Sequence, residues 1–183
     1  MAWISVSIPY PFLNDCLNEI ESAVDLMIDA AKKGNKILWC GNGGSAADAQ
    51  HMAAELMGGL RTHDRPAIAS LALTTDSSFI TAWSNDTDYE SIFSRQIEAL
   101  GNEGDVLVGI STSGNSNNVI NAINAAKTKK LKVIILTGKT GGKMVGMADV
   151  SICIPSNDTQ RIQESHLLVE HILCESVEES IVN

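Results

Sequence analysis

The segment of this chain best suited to chemistry is a hydroxyl-rich loop, Ser111-Thr112-Ser113-Gly114-Asn115-Ser116. Its hydroxyls surround a glycine just ahead of a helical pattern, where backbone N–H groups and the helix dipole favour an anion. Hydroxyls add hydrogen bonds to a phosphate without adding positive charge. The Walker pattern G-x-x-x-x-G-K-[ST] is absent, so the loop suits a small phosphomonoester rather than a nucleoside triphosphate. The plainer alternative is an ordinary connection with a serine capping the helix.

Two further groups of residues carry acid–base or ligating side chains. His51 and Glu55 are separated by four positions, about 40° around a helix, and so share a face. Their H-x-x-x-E order is not the H-E-x-x-H of a zinc protease. The neighbouring turns hold Ala46, Ala47, Ala49, Met52, Ala53 and Ala54; a carboxylate among alanines is either a surface residue or a working one. Near the C-terminus, Gln163, His166, Glu170 and His171 lie on a helical pattern that Asp158 or Thr159 would cap. Its apolar residues run nearly all round, which implies burial in a core or an interface. Histidines in such a helix can be satisfied core residues, and H-x-x-x-E-H misses the H-x-x-E-H pattern by one position.

Gly41-Asn42-Gly43-Gly44-Ser45-Ala46 fits G-x-G-x-x-A, the opening of a dinucleotide site. Such a site also needs an acid about 20 residues on, at the end of the second strand. The nearest acid there is Asp76, so NAD is disfavoured. The alternative is a strand-to-helix turn with Ser45 as cap, and glycines there also let a ligand approach the backbone. Asn85-Asp86, taken alone, reads as a turn.

These loops need elements to position them. Short apolar runs at Lys36–Cys40, Ala67–Leu73, Val106–Ile110, Val133–Thr137 and Val150–Ile154 read as strands buried on both faces of a parallel sheet. Helical patterns at about 13–33, 45–57, 89–100, 117–129 and 159–181 alternate with them. The expectation is an α/β fold, a doubly wound five-stranded parallel sheet flanked by helices and forming one domain over residues 1–183. Ligands bind beyond the carboxyl ends of such strands. The loops at 41–46, 111–116 and 138–142 meet on that edge.

Composition narrows the function classes. The chain has 183 residues, the size of one domain. Its 13 basic and 22 acidic residues give a net charge of −9, which lacks the basic footprint that binding bulk nucleic acid requires. With 44% apolar and 19% charged residues it is too apolar for disorder. Cys16, Cys40, Cys153 and Cys174 show no zinc-type spacing and read as small hydrophobes in a reducing compartment. No run approaches the ~18 apolar residues of a membrane helix. The opening MAWISVSIPYPFL has no preceding basic residue and two prolines, a poor signal peptide. A soluble cytoplasmic protein is expected.

Taken together, CGNGGS at 40–45, HMAAEL at 51–56, SNDTDYESIFSRQIEALG at 84–101, GDVLVGISTSGNS at 104–116, LTGKTGGKM at 136–144 and RIQESHLLVEHIL at 161–173 resemble the phosphoheptose isomerase family of the sugar isomerase (SIS) fold. The resemblance covers most of the chain from about residue 34. It implies a flavodoxin-like sheet and an enzyme that converts sedoheptulose 7-phosphate to D-glycero-D-manno-heptose 7-phosphate, a precursor for lipopolysaccharide or capsule. It implies a phosphate loop at Ser111, Thr112, Ser113 and Ser116. Sugar contacts fall on Asn42, Gly43 and Gly44, with Asn85 and Asp86 nearby and Glu55 and Gln163 also at the substrate. It implies Glu55 and His171 as the catalytic pair, and His51, Glu55, Gln163 and His171 as ligands of a labile zinc. His166 stays structural. A homotetramer is implied, although residues 1–33 are shorter and more proline-interrupted than the long opening helix usual in the family. The alternative is a non-catalytic SIS protein that binds a phosphosugar or a bacterial replication initiator; retention of Glu55, Gln163 and His171 favours the enzyme.

Overall fold

A strand with covered faces on both sides must be apolar at every position, and consecutive side chains must serve two different cores. In the computed structural model, which describes residues 11–182, β1 (Ile37–Gly41) is buried throughout. Ile37 and Trp39 enter one core, Leu38 and Cys40 the other. β3 (Val106–Ser111) and β4 (Lys132–Thr137) divide in the same way. With β2 (Ser70–Ala72) and β5 (Val150–Cys153) they form a parallel sheet of order β2-β1-β3-β4-β5. Register sets Gly41 beside Ile110 and Ser111 beside Thr137, so the strands end at nearly one level.

One face is covered by α1 (Leu17–Lys32), α2 (Gly44–Gly58) and α6 (Thr159–Val182), the other by α4 (Ile92–Leu100) and α5 (Asn117–Thr128). This is the expected doubly wound fold. β1 feeds β2 on one side while β3 lies on its other side, so a crevice opens between the loops after β1 and β3.

Two local expectations change. A helix α3 (Ser77–Asp86) stands where Asn85-Asp86 reads as a turn. Asp76 caps it by accepting from the Phe79 N–H, but none of its residues is buried, so it lacks the apolar stripe that announces a helix. Ser45 does not cap α2: Gly43 holds the N-cap position, without a side-chain cap bond, and Ser45 is buried in the first turn. Asp158 caps α6 as expected, accepting from the N–H groups of Gln160 and Arg161. Most of the proline-interrupted opening segment lies outside the described residues; Pro11–Asp15 forms a 3-10 turn before α1. Among the described residues no helix is long and apolar enough to cross a membrane.

Candidate active site

The loop after β1 is shaped by close packing. A Cβ on Gly41 would stand 2.7 Å from Ser45 Cβ, and Gly43 takes φ +58, a left-handed conformation that glycine adopts without cost. Asn42 projects from this loop into the β1/β3 crevice and forms a reciprocal amide pair with Asn118 on α5. Asn42 Nδ2 donates to Asn118 Oδ1 at 2.9 Å, and Asn118 Nδ2 donates to Asn42 Oδ1 at 2.8 Å. Tyr89, from the segment between α3 and α4, donates its hydroxyl to Asn42 Oδ1 at 3.0 Å. Asn85 and Asp86 remain exposed at the end of α3, bonded to each other. Tyr89 and Asn118 are the residues of this site that motif reading misses. Tyr89 lies inside the 84–101 string, and Asn118 lies two residues after the hydroxyl-rich loop.

After β3, the hydroxyls of Ser111 and Ser116 lie 2.9 Å apart, with Ser113 Oγ 3.5 Å from Ser111. Ser116 occupies the N-cap position of α5 without a side-chain cap bond; its hydroxyl faces the loop instead. Gly114, at φ +63, lies so close to Gly141 that a Cβ would overlap the Gly141 carbonyl. The loops after β3 and β4 are thus pressed backbone to backbone. Beside them opens a cavity of about 310 Å³ lined by Thr112, Ser113, Lys139, Thr140 and Ser156 among others. Neither Ser111, Ser116 nor any α5 residue lines that cavity; it is the cluster of Ser111, Ser113 and Ser116 hydroxyls at the start of α5 that forms a setting suited to a phosphate.

The acid–base residues gather on the facing sides of α2 and α6. His51 Nε2 donates to Glu55 Oε1 at 3.0 Å, and the His51 and His171 rings meet edge to face with centroids 5.0 Å apart. His171 Nδ1 donates to the Leu167 carbonyl at 2.8 Å, which fixes the ring orientation and leaves Nε2 as the nitrogen available to a ligand. His51 is exposed, and Glu55 and His171 are partly so, as groups that meet a ligand must be. Gln163 lies elsewhere. Its amide packs on Gly44, where a Cβ would collide with it, and it stands eight residues, about 12 Å of helix, before His171. The structure therefore brings together a strand-edge group (Asn42, Gly43, Gly44, Gln163 and the serine loop) and a mid-helix group (His51, Glu55, His171).

Buried polar residues frame the second group. Burial pulls His166 down to about 4, against a 3.1 Å hydrogen bond from its Nε2 to the Thr137 carbonyl. It is neutral and structural, as the sequence suggests. Burial, then nearby Asp48, push Glu170 well above the usual carboxylate range. Burial likewise raises Asp48, against His51 and His171. At the far end, Glu178 accepts from the N–H groups of Leu60, Arg61 and Thr62 and from Arg65 Nε, all at 2.7–2.9 Å. Arg65 also donates to the carbonyls of Glu55 and Leu56. This clamp ties the last turn of α2, which carries Glu55, to α6.

The donor set tests the fit to a metal. Two imidazoles and a carboxylate are a common zinc set, and the second-sphere bond from His171 Nδ1 to Leu167 is the kind that orients a ligating histidine. Among the described residues, no three His, Cys, Asp or Glu side chains already close around one point. The His51–Glu55 hydrogen bond must open for both to ligate.

Comparison with known proteins identifies the family of the fold. Residues 12–138 match the SIS domain family. The chain is 52% identical over 162 residues to the phosphoheptose isomerase of Aliarcobacter butzleri, covering 88% of this chain and 85% of that protein. It is 53% identical over 161 residues to that of Campylobacter jejuni, covering 88% and 86%. The solved phosphoheptose isomerase of Neisseria gonorrhoeae superposes with a TM-score of 0.85 at 47% identity, covering 91% of this chain and 88% of that one.

Proposed function

The chain belongs to the phosphoheptose isomerase family of SIS-domain enzymes, and on that premise we propose how its residues carry the isomerisation of sedoheptulose 7-phosphate to D-glycero-D-manno-heptose 7-phosphate. It is an isomerase of heptose precursor synthesis, and the non-catalytic alternative finds no support among these relatives. The observation that carries the residue assignment is the grouping of Glu55, His51 and His171 on the facing sides of α2 and α6.

The reaction moves a proton from C1 of the ketose to C2, and a proton from the C1 hydroxyl to the C2 oxygen, through an enediol. That requires a base and an acid that both work near neutral pH. Glu55 and His171 are this pair. The serine loop at Ser111, Thr112, Ser113 and Ser116 binds the phosphate, and Asn42, Gly43, Gly44, Asn85, Asp86 and Gln163 address the sugar. Anchoring the non-reacting phosphate turns binding energy into positioning at C1 and C2. His51, Glu55 and His171 would hold a labile zinc, and Gln163, about 12 Å along α6 from His171, would join them as a weaker donor only from another copy of the chain; a zinc bound there would stabilise negative charge on sugar oxygens.

We further propose that the enzyme works in the cytoplasm as a homotetramer, whose contacts bring the strand-edge and mid-helix groups onto one sugar. Supporting this, Leu167, Leu168 and Ile172 on α6 are only partly covered within one chain. The test of the activity is turnover with a panel of ketose phosphates. Preferred conversion of sedoheptulose 7-phosphate is expected; equal or better turnover of a five- or six-carbon ketose phosphate would overturn the substrate assignment.

A further inference from the structure

The Asn42 carboxamide has four hydrogen-bonding positions: two lone pairs on Oδ1 and two hydrogens on Nδ2. Asn118 Nδ2 and Tyr89 Oη both donate to Oδ1, at 2.8 and 3.0 Å, which fills the oxygen. One Nδ2 hydrogen is used on Asn118 Oδ1 at 2.9 Å. One N–H therefore remains. Asn118 is 3% exposed and sits in the first turn of α5, two residues after Ser116, so it ties the β1 loop to the element that starts at the serine loop. Tyr89 is 53% exposed yet anchored through its hydroxyl. Its neighbour Glu90 is strapped to α5 by Asn117 and Asn121.

We propose that Asn118 and Tyr89 are positioning residues that fix Asn42 as a hydrogen-bond donor only, its single free N–H directed at an oxygen of the bound sugar. With Oδ1 saturated, Asn42 cannot accept from a sugar hydroxyl. With the amide locked in one orientation, it cannot flip to do so. A fixed neutral donor strengthens as negative charge grows on the oxygen it faces, and it needs no reorganisation when that happens. The inference rests on the reading that Asn42 addresses the sugar.

The experiment is steady-state kinetics on Tyr89→Phe, Asn118→Ala, Asn42→Ala and the two double variants containing Asn42→Ala, with sedoheptulose 7-phosphate as substrate. Tyr89→Phe removes one exposed hydroxyl and leaves folding intact, which keeps the test open should Asn118→Ala unfold. Loss of one orienting bond predicts a fall in kcat of about 3–10-fold for Tyr89→Phe, and about 10–100-fold for Asn118→Ala. KM should move less than kcat in both. In the Asn42→Ala background both effects should shrink to within about twofold, because the group they act through is gone. A merely structural role would leave the losses undiminished in that background, and that result overturns the inference alone. Wild-type kcat in Tyr89→Phe also overturns it. Wild-type turnover by Asn42→Ala overturns both the inference and the placement of Asn42 at the sugar.

Discussion

Glu178→Gln tests the clamp that holds Glu55 in place. Arg65 and Glu178 are each only 2% exposed in their side chains, joined at 2.7 Å, and Glu178 also accepts three backbone N–H groups. The substitution leaves a buried guanidinium without its counter-charge and turns an amide NH₂ toward backbone donors. Breaking a buried pair from one side costs about 3–5 kcal/mol. At about 2–4 °C per kcal/mol for a chain of this size, Tm should fall by about 10 °C. The pH dependence gives a second reading. Burial alone would raise the Glu178 pKa, but Arg65 and the N–H groups of Leu60, Arg61 and Thr62 outweigh it and hold the group at about 2, below its usual 4.5. A folded pKa below the unfolded one stabilises fully above pH 4.5, and the contribution is lost as pH falls toward 2. The stability gap between wild type and variant should therefore be flat from pH 8 to 5 and narrow below 4.5. Urea unfolding at fixed protein concentration measures it. A gap under about 1 kcal/mol at pH 7, or one unchanged below pH 4.5, would refute the clamp as a stabilising pair.

Ser113→Ala should raise KM more than it lowers kcat, because a hydroxyl on the non-reacting phosphate contributes uniform binding; an unchanged KM with a large fall in kcat would contradict the phosphate assignment. Elemental analysis of native protein should find zinc, and chelation should lower both activity and Tm, with zinc restoring them; full activity in demonstrably metal-free protein would leave Glu55 and His171 as a metal-independent pair. Light scattering at micromolar concentration should give the mass of a tetramer, and a monomer would remove the shared-site arrangement.

The sheet was legible because its signal is local. Runs such as Val106–Ile110 and Val133–Thr137 are apolar at every position, and the structure extends or trims them by only a residue or two at most ends. The hydroxyl-rich loop was legible for the same reason: a cluster of hydroxyls before a helix needs no partner to be recognised, and three of its serine hydroxyls do meet at the start of α5. What escaped depends on residues far apart in sequence or on weak amphipathicity. Ser77–Asp86 forms a helix without a single buried residue, so only the Asp76 cap marked it. Nothing local pairs Arg65 with Glu178, 113 positions away. Glu170 sits in an apolar helix pattern, yet its buried carboxyl oxygens have no hydrogen-bond partner among the described residues, a fact only packing reveals. Asn118 carries no local signal of its own; only its pairing with Asn42, 76 positions away, marks it.

The central claim, that Glu55 is one of the two groups moving protons between C1 and C2, is tested most directly by Glu55→Gln. The amide keeps the size of the side chain and its ability to accept from His51 Nε2, but cannot take up a proton near neutral pH. Turnover of sedoheptulose 7-phosphate by folded variant, followed together with exchange of the C1 proton into deuterated water, should fall by about 10²–10⁴-fold in both readouts. Near-wild-type turnover and exchange in a variant of unchanged Tm would contradict the account.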